Sequence, residues 1–400
     1  MAEKSKEQLK VEEYFKQNGI EYDKNCIYGI KRERNLNSFL MMGLIGLLMK
    51  TGMKPCYILF NENVILFFAV GMLGGIKEFL TRIDVEDIEK IDLKKGILNY
   101  IEEITGYRPS FEMVDLRDKE ATEEVFKKYS NIVGIIHFAA SKAVGESVQK
   151  PLLYYRNNIV SLINLLELMP EYGVKGIIFS SSCTVYGQPK PENLPVTEDA
   201  PHQKATSPYG NTKEINEQII YDYIHSGADI KSIILRYFNP IGAHPTALIG
   251  ELPNGVPANL IPYVTQTAIG IRKELTIFGN DYDTPDGTCI RDYIYVVDLA
   301  KAHVAAMRRV LEKDADRIDY FNIGTGHGNT TKEIVDTFEE ATGVKVNWHY
   351  GPRREGDIEK IWGDCSKANK ELGWKADTPL TEVLASAWKW QKKLREDGVM

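Results

Sequence analysis

The strongest constraint on the fold lies between residues 175 and 213. KGIIFS at 175–180 is a short apolar run of the kind a parallel strand buried on both faces leaves in a sequence. It ends in Ser181 and Ser182, so two hydroxyls stand at a strand's carboxyl end, where open α/β sheets place their ligands. Downstream, Tyr209 and Lys213 are four residues apart in a segment whose apolar residues Ile215, Ile219, Ile220 and Tyr223 recur at helical spacing. At that separation two side chains share one helix face. An ammonium group beside a phenol favours the phenolate, and the expectation is that Lys213 lowers the Tyr209 pKa and makes it a proton-transfer group. A Tyr-x-x-x-Lys pair alone is more often a surface tyrosine beside a solvated lysine. This one sits between a Ser-rich strand end and a second strand-like run, ILRYFNPIGAH at 234–244.

Composition narrows the class. With 43% hydrophobic and 26% charged residues over 400 positions, the chain can bury a sizeable core. A net charge of −7 argues against nucleic acid or an anionic membrane as the main partner. Cys26, Cys56, Cys183, Cys289 and Cys365 form neither a disulfide framework nor a metal spacing, and no zinc or other metal site is expected. That usage points to a reducing cytoplasm. The charged opening reads as a helix over 5–17 capped by Ser5, not as a signal peptide. Two apolar runs, 39–49 and 57–76, fall short of the roughly 20 residues that span a bilayer, the second being broken by Asn61, Glu62 and Asn63. No membrane span is expected.

Residues 1–97 read differently from the rest. CYILF, VILFFAV, EFLTRID and IEKIDLKKGIL predict short strands of a small antiparallel sheet. Their pattern resembles, weakly, small pleckstrin-homology-like domains. From residue 98 the chain alternates helices and strands: a helix over 100–106, strands at 110–118 and 134–138, and a long helix over 154–169. Asp115 is a candidate cap for a helix starting near Lys119, and Asp298 for the helix DLAKAHVAAMRRVL.

The combination of FSSSCTVYG, SPYGNTK and ILRYFNPIGAH with GIIHFAASKAVGES, LTIFGNDYDTPDGTCIRDYIYVVDLAKAH and GPRREGDIEKIWGD resembles the extended short-chain dehydrogenase/reductases, and among them the UDP-glucose 4-epimerase family. The resemblance covers residues 98–400. It implies a Rossmann-like doubly wound parallel sheet, with residues 98–238 and 290–325 binding NAD. A smaller α/β domain, 239–289 with 326–400, would bind the UDP-sugar. The implied partners are UDP-glucose and UDP-galactose, interconverted at C4 by a homodimer. Tyr209 is implied as the base and Lys213 as its partner, with Ser182 and Thr184 bonding the 4-oxygen. Asp115, Leu116, Phe138, Ala139, Ala140, Lys142, Asn157, Ser180, Tyr209, Lys213 and Tyr237 are implied at the cofactor. Ser182, Asn239, Asn259, Phe278, Arg291, Arg354 and Asp357 are implied at the substrate. Ile361 matches the residue that gates entry of N-acetylated sugars. A 4,6-dehydratase would carry Asp-Glu where this chain has Cys183 and Thr184.

One family element is missing. The glycine-rich turn that meets the NAD pyrophosphate at a helix N-terminus has no clear counterpart. The nearest stand-in is Gly71, Gly74 and Gly75 with Asp92 beyond them. An atypical segment is therefore expected in place of the first βαβ unit. Without the turn's donors, NAD binding is expected to weaken by several orders of magnitude. The alternative to an epimerase is a catalytically impaired protein that binds UDP-sugar or only dimerises.

Overall fold

The computed structural model describes three amino-terminal strands and residues 97–399, apart from 254, 355 and 356. The helix expected over 5–17, the apolar run at 39–49, Gly71, Gly74, Gly75 and Asp92 lie outside the described residues. The chain divides into two units, Met1–Pro109 and Ser110–Met400.

In the first unit β1 (Cys56–Asn61), β2 (Val64–Val70) and β3 (Ile76–Asp84) form an antiparallel sheet in that order. Cys56 stands opposite Ala69, and Val64 opposite both Asn61 and Asp84. Three of the four expected strands are thus present, and the fourth, at 88–98, falls outside the described residues but for its last two, which are helical. Residues 97–105 are helical (α1), in agreement with the expected helix there.

The second unit is built on a parallel sheet of order β11-β6-β5-β4. Its strands are β4 (Gly134–His137), β5 (Gly176–Ser180), β6 (Lys231–Tyr237) and β11 (Ile318–Ile323). All five residues of β5 are buried, which explains why it reads as a continuous apolar run. On one face Phe179, Ile177 and Ile234 pack with Leu162 and Leu165 of α4 (Pro151–Glu171) and Ile220 and Ile224 of α5 (Pro208–His225). On the other, Ile178, Ile233 and Leu235 pack with Leu299, Ala302 and Ala306 of α7 (Val296–Val310). Helices on both faces make this the doubly wound α/β class. The remaining helices are α2 (Lys119–Lys128), α3 (Val144–Gln149), α6 (Leu260–Ala268), α8 (Thr331–Thr342), α9 (Ser366–Glu371) and α10 (Leu380–Glu396).

A second core, including Val264, Ile277, Phe338 and Leu384, lies among α6, α8, α10 and short strand pairs. Here β7 (Asn239–Ile241) pairs with β10 (Tyr293–Tyr295), and β8 (Leu275–Phe278) with β13 (Trp348–Gly351). A third ladder sets β9 (Ile290–Arg291) between β12 (Asn329–Thr330) and β14 (Lys360–Ile361).

Three local expectations are corrected. Residues 110–115 are not a strand. A strand persists through its ladder partners, and among the described residues no strand pairs with β4 on the side away from β5. The cap of α2 is Asp118, whose carboxylate accepts from the Ala121 N–H at 3.0 Å, because the helix begins directly after it; Asp115 is not the cap. Helix α7 begins at Val296, so Asp298 lies inside its first turn, where it accepts from Lys301 at 2.9 Å. A carboxylate there still faces the helix's free N–H groups.

Candidate active site

Strand β5 delivers three consecutive serines to the amino-terminal half of α5, and each meets a different rung. Ser207 caps α5 by accepting from the Gly210 N–H at 3.1 Å, and Pro208 fills the first helical position. That start fixes where Tyr209 and Lys213 project. The Ser182 hydroxyl lies near the Tyr209 phenol and favours its ionised form. The Ser180 carbonyl accepts from Lys213 Nζ at 2.7 Å. The Ser181 hydroxyl donates to Glu217, one turn beyond Lys213. Ser182 also accepts from the Thr184 N–H at 3.2 Å and so starts the short turn Cys183–Tyr186. The tyrosine, the lysine and the two serines named from the sequence thus form one cluster.

The electrostatics depart from the expectation. Lys213 is only 3% exposed, and its ammonium lies 5.9 Å over the Tyr209 ring rather than at the hydroxyl. Burial brings the Lys213 pKa down to about 8, and Glu217 opposes that fall. Burial pushes the Tyr209 phenol above its ordinary value, with Tyr237 adding to the rise. Burial penalises both charges, more completely for Lys213 than for the half-buried Tyr209, and the attraction of the pair does not bring the Tyr209 pKa down.

The expected cofactor residues surround the carboxyl ends of β4, β5 and β6. Phe138 is 56% exposed and stacks at 4.5 Å on His303 of α7. His303 Nε2 lies 3.3 Å from Ser180 Oγ, and the same serine lies near Tyr237, opposing the rise that burial gives its phenol. Ala139 is exposed and Ala140 half-buried. Asp115, Leu116 and Asn157 meet around Arg117. Its Nε donates to both Asp115 oxygens at 2.9 and 3.0 Å, and its NH1 to Asn157 at 2.7 Å. The Leu116 carbonyl accepts from Asn164 at 2.8 Å. Lys142 is largely exposed and pairs with Glu251 at 3.6 Å. Two buried atoms lack a hydrogen-bond partner here, His137 Nε2 on β4 and Thr184 Oγ1. Exposed apolar residues beside orphaned buried polar atoms fit a site that a polar ligand completes.

Of the expected substrate residues, Phe278, Arg291, Arg354 and Asp357 are brought together. Arg354 donates to Asp357 at 2.6 and 3.1 Å, and its guanidinium stands 5.7 Å from the centre of the exposed Phe278 ring. Arg291 lies 4.0 Å from Asp357. Asn239 donates its backbone N–H to the Asp292 carbonyl at 3.0 Å. Asn259 donates to Glu251 at 2.7 Å, so Glu251 joins a lysine expected at the cofactor to an asparagine expected at the substrate. Ile361 is buried with Cys183, Tyr186 and Phe238. Arg117, Glu251 and His303 were missed from the sequence, where each is one polar residue among many. Glu217 and Arg236, which contact the serine cluster, were also missed, although Glu217 continues the four-residue spacing of Tyr209 and Lys213. Among the described residues no His, Cys, Asp or Glu group has metal-ligand geometry. Among them also, no helix is long and apolar enough to cross a membrane.

The orphaned Thr184 hydroxyl gives a first test. Thr184→Val keeps the shape and removes an unsatisfied buried group, so the melting temperature should stay level or rise. Turnover should fall roughly tenfold, the worth of one neutral hydrogen bond to a substrate oxygen. Unchanged turnover would remove Thr184 from the site.

A parallel sheet with a Ser, a Tyr and a Lys at its carboxyl edge, joined to a smaller α/β lobe presenting arginines, defines a short-chain dehydrogenase/reductase built for a nucleotide-linked substrate. The comparisons agree. The family model described as GDP-mannose 4,6 dehydratase matches residues 85–387. UDP-glucose 4-epimerase 2 of Arabidopsis thaliana is 50% identical over 71% of this chain and 80% of its own length. The UDP-glucose 4-epimerase of Dictyostelium discoideum is 47% identical over 83% of this chain and 96% of its own. That share is larger than residues 98–400 supply, so the match reaches further toward the amino terminus than the motifs do. The crystal structure of UDP-glucose 4-epimerase from Bifidobacterium longum in complex with NAD+ and UDP is 48% identical, with a TM-score of 0.70 over 74% of this chain and 87% of that one. This chain belongs to the UDP-glucose 4-epimerase family of the extended short-chain dehydrogenase/reductases.

Proposed function

We propose that the protein is an NAD-dependent isomerase that interconverts UDP-glucose and UDP-galactose. The observation that carries this is the three-serine strand end set against Tyr209 and Lys213. Relatives near 50% identity that are epimerases favour it over the impaired binding protein. The 4,6-dehydratase reading finds no support at the strand end, where Cys183 and Thr184 take the places of the acid pair.

Tyr209 takes the proton of the sugar 4-hydroxyl and returns it after the C4 centre inverts. Ser182 and Thr184 hold the 4-oxygen, Thr184 with the hydroxyl that has no partner in the protein alone. Lys213, anchored on the Ser180 carbonyl, biases the phenol toward its ionised form once the site is closed to water. On the nucleotide side Phe278 offers a ring face to uracil. Arg291, Arg354, Asn239 and Asn259 offer donors to the diphosphate, and Asp357 an acceptor to the ribose. Asp115, Leu116, Phe138, Ala139, Ala140, Lys142, Asn157, Ser180 and Tyr237 would hold NAD with Tyr209 and Lys213. Bound NAD supplies a reversible hydride acceptor and a positively charged ring. The division into an NAD-binding part (98–238 with 290–325) and a UDP-sugar part (239–289 with 326–400) belongs to the same reading, as do a homodimer and a cytoplasmic setting.

Conversion of UDP-galactose to UDP-glucose by the purified chain, with NAD retained or added, tests the proposal. UDP binding without NAD binding or turnover would restore the impaired-binder reading. Ile361 is bulky enough for non-acetylated sugars to be preferred. Equal specificity constants for UDP-glucose and UDP-N-acetylglucosamine would refute that preference.

A further inference from the structure

We infer that Glu217, clamped by Arg236, is a positioning residue that keeps Lys213 protonated and in register with the strand end. The functional meaning rests on the epimerase reading; the contacts stand without it.

Tyr209, Lys213 and Glu217 occupy successive turns of one face of α5; Lys213 and Glu217 bond to the 180–182 strand end, and Tyr209 lies near Ser182. Lys213 sits in a place hostile to a cation. Its ammonium has the Phe179 ring at 5.1 Å and the Ser180 carbonyl at 2.7 Å, with no carboxylate contact. From β4 it faces His137, which burial holds near pKa 4 and therefore neutral. On its own helix it faces Tyr209, protonated in this pocket, and Glu217, the carboxylate whose charge supports it.

Arg236 explains why Glu217 supports Lys213 without capturing it. A free carboxylate one turn away would draw the ammonium into direct contact and off the Ser180 carbonyl. Here the carboxylate is occupied on both oxygens. Arg236 Nε donates to them at 3.1 and 3.2 Å, its NH2 donates at 2.7 Å, and Ser181 donates as well. The planar fork fixes the carboxylate in one orientation. Glu217 then contributes its field to Lys213 while Ser180 keeps the contact. The other groups around the pair are Tyr186 and Tyr320, whose ring centres lie 5.1 and 4.9 Å from the Arg236 guanidinium. Glu198 offers its carbonyl to Arg236 at 2.9 Å. His202 is held toward its neutral form by burial, with the Arg236 charge adding to that.

The test reads Lys213 directly, so it does not need turnover. In the full chain labelled with 13C at the lysine ε-carbon, one resonance should titrate near pH 8, far below the other lysines, and vanish in Lys213→Met. Glu217→Gln should move that midpoint down by about one unit, the size of a nearby countercharge's effect. Glu217→Asp, which keeps the charge, should stay near the parent. The double variant Glu217→Gln/Arg236→Met replaces the pair by neutral groups of similar shape, and its midpoint should fall as well. A folded Glu217→Gln protein with an unmoved midpoint overturns the inference. Failure of both neutral variants to fold assigns the pair to folding alone and overturns it too. Where the parent epimerises, the alkaline limb of kcat/KM should fall in parallel; a parent that titrates as described but does not turn over refutes the epimerase reading and leaves this one standing.

Discussion

Tyr209→Phe should lower epimerase turnover by a factor of about 100 to 10,000, the usual range for removal of a positioned base, while leaving UDP binding intact. The substitution deletes one oxygen. The ring keeps its place because α5 is still started by Ser207 and Pro208, and Lys213 is still held by the Ser180 carbonyl. What disappears is the hydroxyl that lies near Ser182. Arg291 stands on β9, Phe278 on β8 and Arg354 just after β13, all away from Tyr209 in the sequence, so calorimetry should return the parental UDP affinity. The pH profile carries a further sign. Above about pH 8 the free protein loses the Lys213 ammonium. Rising pH thus removes the cation before it ionises the raised Tyr209 phenol, and kcat/KM should fall on the alkaline side. Near-parental turnover by Tyr209→Phe would take the base away from this residue.

Strand β5 and the start of α5 were readable because each carries a local signal: a five-residue apolar run for the first, Ser-Pro before a periodic stretch for the second. The Tyr209–Lys213 spacing followed from the helix alone. Residues 110–115 misled because their alternation is strand-like, yet a strand needs neighbours, and pairing is not written in the segment itself. The sign of the Tyr209 shift was misjudged for a similar reason. Sequence spacing placed an ammonium near a phenol but did not reveal that Lys213 is buried and Tyr209 half-buried, where desolvation outweighs their attraction. Arg117, Glu251 and His303 act across gaps of 40 to more than 120 residues. Only the fold turns such ordinary polar residues into junctions.

Arg236→Met alone should destabilise the protein by about 3–5 kcal/mol, the range for removing one partner of a buried ion pair. Arg236 and Glu217 are both about 95% buried, and the guanidinium links Glu217 to the neighbouring polar groups. Its NH1 donates to the Tyr186 hydroxyl at 3.2 Å and to the Glu198 carbonyl at 2.9 Å. Tyr186 in turn donates to Asn322 at 2.6 Å, and the Asn322 N–H to the Glu198 carboxylate at 2.7 Å. Removing the arginine strands a carboxylate in a low-dielectric interior with only Ser181 beside it. Adding Glu217→Gln removes that charge and should restore most of the loss, since a buried pair replaced on both sides by well-packed neutral groups is often close to neutral. The comparison is made by urea unfolding at equal slope for parent, single and double variants. A single variant as stable as the parent would mean that water reaches Glu217. The burial that sets both Lys213 and Tyr209 would then have to be abandoned with it.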